Sequence, residues 1–270
     1  MRINDLSTQI LYTTVPIWVE KKFGGQSSGT GFFFSFLDKE NPNQSIPLLV
    51  TNYHVIQDIT RGIFEFVLRE NDMPTKQKIR VEFDPSVIRI NEPPEIDLVA
   101  IPIAPIINEL EVKHKPVFFR SITQEIIPDI QQINDLSAIE EVIFIGYPSG
   151  LSDSYNMSPI VRRGITATPV WNKFKGKDAF LIDAGVFPGS SGSPVFLFNQ
   201  GSYSSGNTII IGSRIFFLGI LAETFIGSVQ SNVSNEQSKV FLGLGEVINS
   251  NTILEYLNKF ISQLKIQTKT

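Results

Sequence analysis

From residue 15 onward the chain is a succession of short apolar runs, cut again and again by glycine, proline and asparagine. The runs fall at residues 15–19, 30–36, 46–51, 63–68, 79–83 and 97–101, and then at 141–148, 159–168, 179–183, 195–198, 208–211 and 214–221. Short runs with this punctuation read as strands, and many in succession point to an all-β sandwich or barrel. Residues 38–45, 69–78 and 149–158 are expected to be loops, 199–207 a flexible hairpin tip, and 228–238 a polar, mobile segment. Between the two groups of runs, residues 103–140 hold Pro105, Pro116 and Pro128 and show no clear period. They read as a long connection, with a helical turn near 131–136. A short helix is expected over 4–12. A longer one is expected at the end, where Ile248, Ile253, Leu254, Leu257, Phe260, Ile261 and Leu264 recur at three-to-four spacing behind Ser250 or Asn251 as N-cap.

Charge narrows the function classes. The 27 acidic and 23 basic residues give a formal net charge of −4, with no basic run, so a dedicated nucleic-acid surface is not expected. The chain has no cysteine, which removes disulfides, thiolate metal sites and a cysteine nucleophile. With two dissimilar histidines besides, neither a metal nor a cofactor is expected. The first residues contain an early acid, Asp5, and no apolar secretory stretch. No segment approaches the ~18 apolar residues of a membrane span. The expectation is a soluble, cytoplasmic protein with no membrane partner.

Chemistry concentrates at three places. Phe187-Pro188-Gly189-Ser190-Ser191-Gly192-Ser193-Pro194 describes a tight turn held between strands. Its glycines allow backbone angles that a Cβ forbids. Such a turn can present the Ser191 hydroxyl and aim the amides of Gly189 and Ser191 into one hollow, as acyl transfer requires. Gly189, Ser190 and Ser191 are therefore the candidate oxyanion segment. A serine nucleophile needs a base that titrates near neutrality. His54 stands at the end of a strand-like run, whereas His114 lies in the polar stretch Glu111–Pro116 and reads as a surface residue. Asp97, at the mouth of the run Leu98-Val99-Ala100-Ile101, is the natural group to orient His54.

Thr51-Asn52-Tyr53-His54-Val55, Asp97-Leu98-Val99-Ala100 and Pro188-Gly189-Ser190-Ser191-Gly192-Ser193-Pro194 together resemble the trypsin-like serine peptidase superfamily, in its order His, Asp, Ser. Gly29-Thr30-Gly31-Phe32, Gly146-Tyr147-Pro148-Ser149-Gly150, Arg163-Gly164-Ile165 and Ile182-Asp183-Ala184-Gly185 resemble its bacterial high-temperature-requirement branch. The resemblance implies two six-stranded antiparallel β-barrels with a C-terminal helix packed on the second. It places the N-terminal barrel at 1–115, the inter-barrel connection at 116–140, the C-terminal barrel at 141–247 and the helix at 248–270. It implies a serine endopeptidase acting on protein or peptide substrates through His54, Asp97 and Ser191.

The same resemblance places the primary substrate pocket at Gly185, Val186 and Phe187 and at Ile220, Leu221 and Ala222. Gly185 matches the base of that pocket and carries no carboxylate, so small or medium apolar side chains are expected before the cut bond. Ser190 replaces the aspartate that pairs with a freshly cut N-terminus in activated zymogens, so activation by N-terminal processing is not expected. Ser193 replaces a glycine, and no PDZ-like module is expected after the catalytic region. These departures suggest selective cleavage with a separate activating or sensor protein. The rivals are a catalytically silent binding module of the same fold and an α/β-hydrolase esterase. The esterase needs a histidine after its serine, and none follows Ser191.

Overall fold

The computed structural model describes residues 5–37, 45–87, 94–206, 208–230 and 237–267. A short helix α1 (Leu6–Gln9) leads into an antiparallel sheet built from β1 (Thr14–Lys21), β2 (Gln26–Leu37), β3 (Ser45–Thr51), β4 (Ile59–Glu70), β5 (Met73–Phe83) and β6 (Val99–Pro102). A single turn, α2 (Tyr53–Ile56), sits between β3 and β4. The strand order is β5-β4-β1-β2-β3-β6, and β7 (Val117–Phe118) pairs with β4. Val15 and Ile17 of β1, Phe64 and Phe66 of β4, Phe83 of β5 and Val99 and Ile101 of β6 all bury in one core. The sheet therefore curls round that core, although its end strands β5 and β6 do not pair with each other among the described residues.

The second half closes fully. β8 (Glu141–Gly146), β9 (Ile160–Thr166), β10 (Ala179–Asp183) and β11 (Pro194–Asn199) are followed by a separate hairpin of β12 (Ser202–Ser205) and β13 (Thr208–Ile211). β14 (Arg214–Gln230) and β15 (Gln237–Asn249) complete a six-strand barrel in the order β10-β15-β14-β11-β8-β9. Alternate residues of these strands, among them Val142, Phe144, Phe180, Ile182, Val195 and Leu197, fill its interior, as period-two patterning requires. The all-β reading and the chymotrypsin-type fold hold.

Several local expectations need correction. The stretch at 69–78 is no loop: β4 and β5 are joined by Asn71 and Asp72 alone, both at positive φ (49° and 58°), the signature of a type I′ hairpin. The connection at 103–140 is not structureless. It holds α3 (Ala104–Val112), begun by a proline in its first turn, then β7, then α4 (Ile130–Asn134), whose N-cap Asp129 forms a capping box with Gln132. β14 and β15 extend into the segment expected to be mobile, of which residues 231–236 lie outside the described residues.

The last helix, α5 (Ser250–Gln267), does not pack on the second barrel alone. Its Ile253, Leu257, Phe260 and Ile261 share one buried cluster with Phe32, Phe34, Leu48 and Leu98 of the first half and with Ile145, Phe196, Phe217 and Ile220 of the second. α5 fills the seam between them. Each such side chain contributes about 1.5–3 kcal/mol on burial, so the helix is a main bond between the halves. No described helix is long and apolar enough to cross a membrane.

Candidate active site

The strand β3 ends at Thr51, Asn52 stays extended as the N-cap (φ −77°, ψ 146°), and α2 begins at once, setting His54 on a single helical turn. A helix this short cannot hold itself, because its carbonyls lack partners. Lys21, from the end of β1, supplies them: its Nζ donates to the carbonyls of His54 (3.3 Å), Val55 (3.0 Å) and Gln57 (2.7 Å). Burial pushes the Lys21 ammonium below its usual range, with Asp58 opposing. The cost of half-burying that charge is offset by the three carbonyls, which fix the histidine's turn to the first sheet.

Asp97 holds His54 at two points. Its Oδ2 lies 2.6 Å from His54 Nδ1, and its Oδ1 accepts the backbone N–H of His54 at 2.9 Å. Its own carbonyl accepts from Asn52 Nδ2 at 2.9 Å. A carboxylate so engaged favours the tautomer with the proton on Nδ1, leaving Nε2 as an acceptor. His114 is exposed on the turn that ends α3, at φ 55°.

The serine turn is built by its prolines and glycines. Ser190 N–H donates to Phe187 O at 3.1 Å, closing a four-residue turn with Pro188 and Gly189 inside it. Gly189 has φ 85°, the third-position angle of a type II turn, with proline in the favoured second position. The Pro188 carbonyl accepts from Ser149 N at 2.7 Å. Since a trans peptide sets its N–H opposite its C=O, Gly189 N–H is directed away from Ser149. Of the three residues in the expected oxyanion segment, Gly189 and Ser191 keep amides free of hydrogen bonds among the described residues, whereas the Ser190 amide is used by the turn.

Thr30 fastens this turn to the first half of the molecule. Its N–H donates to Ser191 O (2.9 Å), and its hydroxyl donates to Gly189 O (3.2 Å) while accepting Tyr147 N–H (3.0 Å). The fit leaves no slack: Gly192, at φ 89°, lies so close that a Cβ there would run into the Thr30 carbonyl. Thr30 is fully buried. Thr30→Val keeps the volume and removes the hydroxyl, leaving a buried amide and a carbonyl unpaired. It is expected to cost about 1–3 kcal/mol of stability and to slow the labelling of Ser191 by an active-site-directed phosphonate. Parallel melting curves and labelling rates would check both; a variant unchanged in each would remove Thr30 from the account.

The Ser191 hydroxyl donates to the Ala222 carbonyl at 3.3 Å, and no hydrogen bond joins it to His54 among the described residues. The two halves of the site nevertheless meet. Asp97 and Ala222 line one cleft of about 410 Å³, with Lys177, Asp178, Glu223 and Glu246 on its second-half side and Thr252 of α5 at its edge. Among the expected pocket residues, Val186 and Leu221 point into the second barrel's core and Ile220 into the seam. Gly185 and Phe187 border the surface, and Ala222 presents its backbone to Ser191. The roles of Lys21 and Ser149 escaped the sequence reading, because they act on backbone carbonyls remote in sequence.

Residues 29–203 match the family model described as a trypsin-like peptidase domain. Two solved structures of the HtrA-type protease AlgW with tripeptide, one of them a substituted variant, share the fold. The variant aligns with a TM-score of 0.54 at 16% identity over 97% of this chain and 64% of that one. The other gives 0.52 at 17% identity, over 94% and 61%. The chain thus spans less than two thirds of either structure's length. No curated protein matches it.

Proposed function

The chain belongs to the trypsin-like peptidase family, and from that premise we propose that it is a serine endopeptidase in which Ser191, His54 and Asp97 form the reacting group. The observation that carries this reading is the double engagement of His54 by Asp97, through the ring at 2.6 Å and through the backbone at 2.9 Å. In the proposed cycle Ser191 turns from the Ala222 carbonyl and gives its proton to His54 Nε2 as its oxygen attacks the substrate carbonyl carbon. The oxyanion forms against the Gly189 and Ser191 amides. Asp97 stabilises the imidazolium, which then protonates the leaving amine. Water repeats the sequence to release the acid.

Residues 1–115 would supply the base and its partner, 141–247 the nucleophile and oxyanion donors, and α5 the brace between them. A second reading, a silent binding module, is favoured by one observation only, the bond from Ser191 to Ala222 rather than to His54. Hydrogen bonds of this kind often tighten only when substrate is bound. The test is treatment of the purified chain with a fluorophosphonate, followed by peptide mapping. Covalent label on Ser191 is expected. A folded protein that takes no label, or takes it elsewhere, would support the silent module.

A further inference from the structure

Beside the serine turn stands a cation that meets no counter-charge among the described residues. Arg162 lies on β9 opposite Phe144 of β8, and Phe144 faces the barrel interior, so the arginine rises from the same inward face. Its guanidinium lies over the Phe187 ring, with Cζ 4.9 Å from the centroid. It also reaches Gly185, where a Cβ would stand only 2.8 Å from Nη2. Phe187 in turn meets Phe241, ring to ring at 5.9 Å. Arg162 is half-buried, and among the described residues no carboxylate comes within 4.0 Å of it. The neighbouring acid, Asp183, flanks Gly243 and forms no ion pair with it.

This placement matters because of what Gly185 and Phe187 adjoin. They run directly into Pro188 and Gly189, whose amide is the proposed oxyanion donor, and Gly185 N–H is tied to Gly243 O at 3.0 Å. A peptide with its carbonyl oxygen on Gly189 and Ser191 sends the preceding side chain along this arm. A guanidinium partly stripped of water there, with rings on one side and no anion, is stabilised by a ligand carboxylate through paired, charge-assisted hydrogen bonds.

We propose that Arg162 sets the specificity of the site and that the enzyme cuts after acidic side chains, glutamate or aspartate, in place of the apolar ones expected from the sequence. This rests on the endopeptidase reading above. The absence of a side chain at Gly185 is what opens the way to the guanidinium.

The experiment uses the full chain and peptides differing only in the residue before the cut bond: Glu, Gln, Val or Lys. Fluorophosphonate labelling, which reads the nucleophile without that residue, is run on the same preparation. The expected kcat/KM for the Glu peptide exceeds that for Gln or Val by about 10–100-fold. Arg162→Met is expected to bring the Glu-to-Val ratio near one, chiefly through KM. Arg162→Lys would restore part of it, and Arg162→Glu would turn the preference toward Lys. Gly185 sits at φ 57°, which aspartate tolerates, so Gly185→Asp places a carboxylate on Arg162 and is expected to erase the preference with the arginine still present. These ratios do not depend on how much of each variant is folded. Labelled wild type that cuts after Val or Lys as well as after Glu would overturn the proposal while leaving the endopeptidase intact. Wild type that takes no label overturns both.

Discussion

Ser191→Ala is expected to lower peptide hydrolysis by about 10⁶-fold while leaving the protein folded. The two effects separate because the hydroxyl has so little structural work. The one hydrogen bond it makes among the described residues, to the Ala222 carbonyl, is 3.3 Å long, and losing it costs on the order of 1 kcal/mol. The turn itself is held by backbone groups that the substitution does not touch: Thr30 N–H on Ser191 O, Ser190 N–H on Phe187 O and Gly192 N–H on Leu221 O. The remaining rate over water would come from the Gly189 and Ser191 amides. Initial rates on a cleavable peptide, with melting curves of both proteins, measure the pair of quantities. A variant keeping more than about a hundredth of the activity would show that another group attacks the substrate.

Asp97→Asn should cost about 10⁴-fold in kcat, and the reason lies in hydrogen-bond bookkeeping at His54. The carboxylate accepts twice, from the ring Nδ1–H and from the backbone N–H. An amide of the same shape accepts once and donates once. If its oxygen keeps the backbone N–H, its NH₂ faces Nδ1, which must then give up its proton. The proton moves to Nε2, where the Ser191 hydroxyl needs an acceptor, and the base is lost with the geometry intact. Stability should change little, because both side chains are a third or more open to solvent (40% and 35%) and their attraction is screened. A loss below tenfold in steady-state kcat would mean that Asp97 does not set the tautomer.

The fold was legible where strands are near-continuous buried apolar runs, as in β2, β8 and β10, and less so where both strand faces carry charge. The β4–β5 hairpin is the clear case. Lys78, one of the charges that suggested a loop, pairs across the hairpin with Glu65 at 2.8 Å, beside Arg80 at 3.0 Å, so it belongs to a cross-strand ladder. α3 was hidden because only Leu110 of its nine residues is buried, which leaves almost no periodic signal. In the site, His54, Asp97 and Ser191 stood out because their roles demand particular residue types beside glycine and strand signals. Lys21, Ser149 and Arg162 did not. Their partners are backbone carbonyls and a ring brought near by closure of the sheets, and nothing local in the sequence marks such a contact.

The seam filled by α5 bears on the order of events during synthesis. The helix follows both halves in the chain and is made after them, yet it supplies the apolar surface that binds one to the other. A nascent chain therefore holds its proposed base and its proposed nucleophile on two bodies whose junction is still unfilled. The surface that brings them into register is completed only once the helix has emerged, so the proposed base and nucleophile reach their final geometry after both halves have been made.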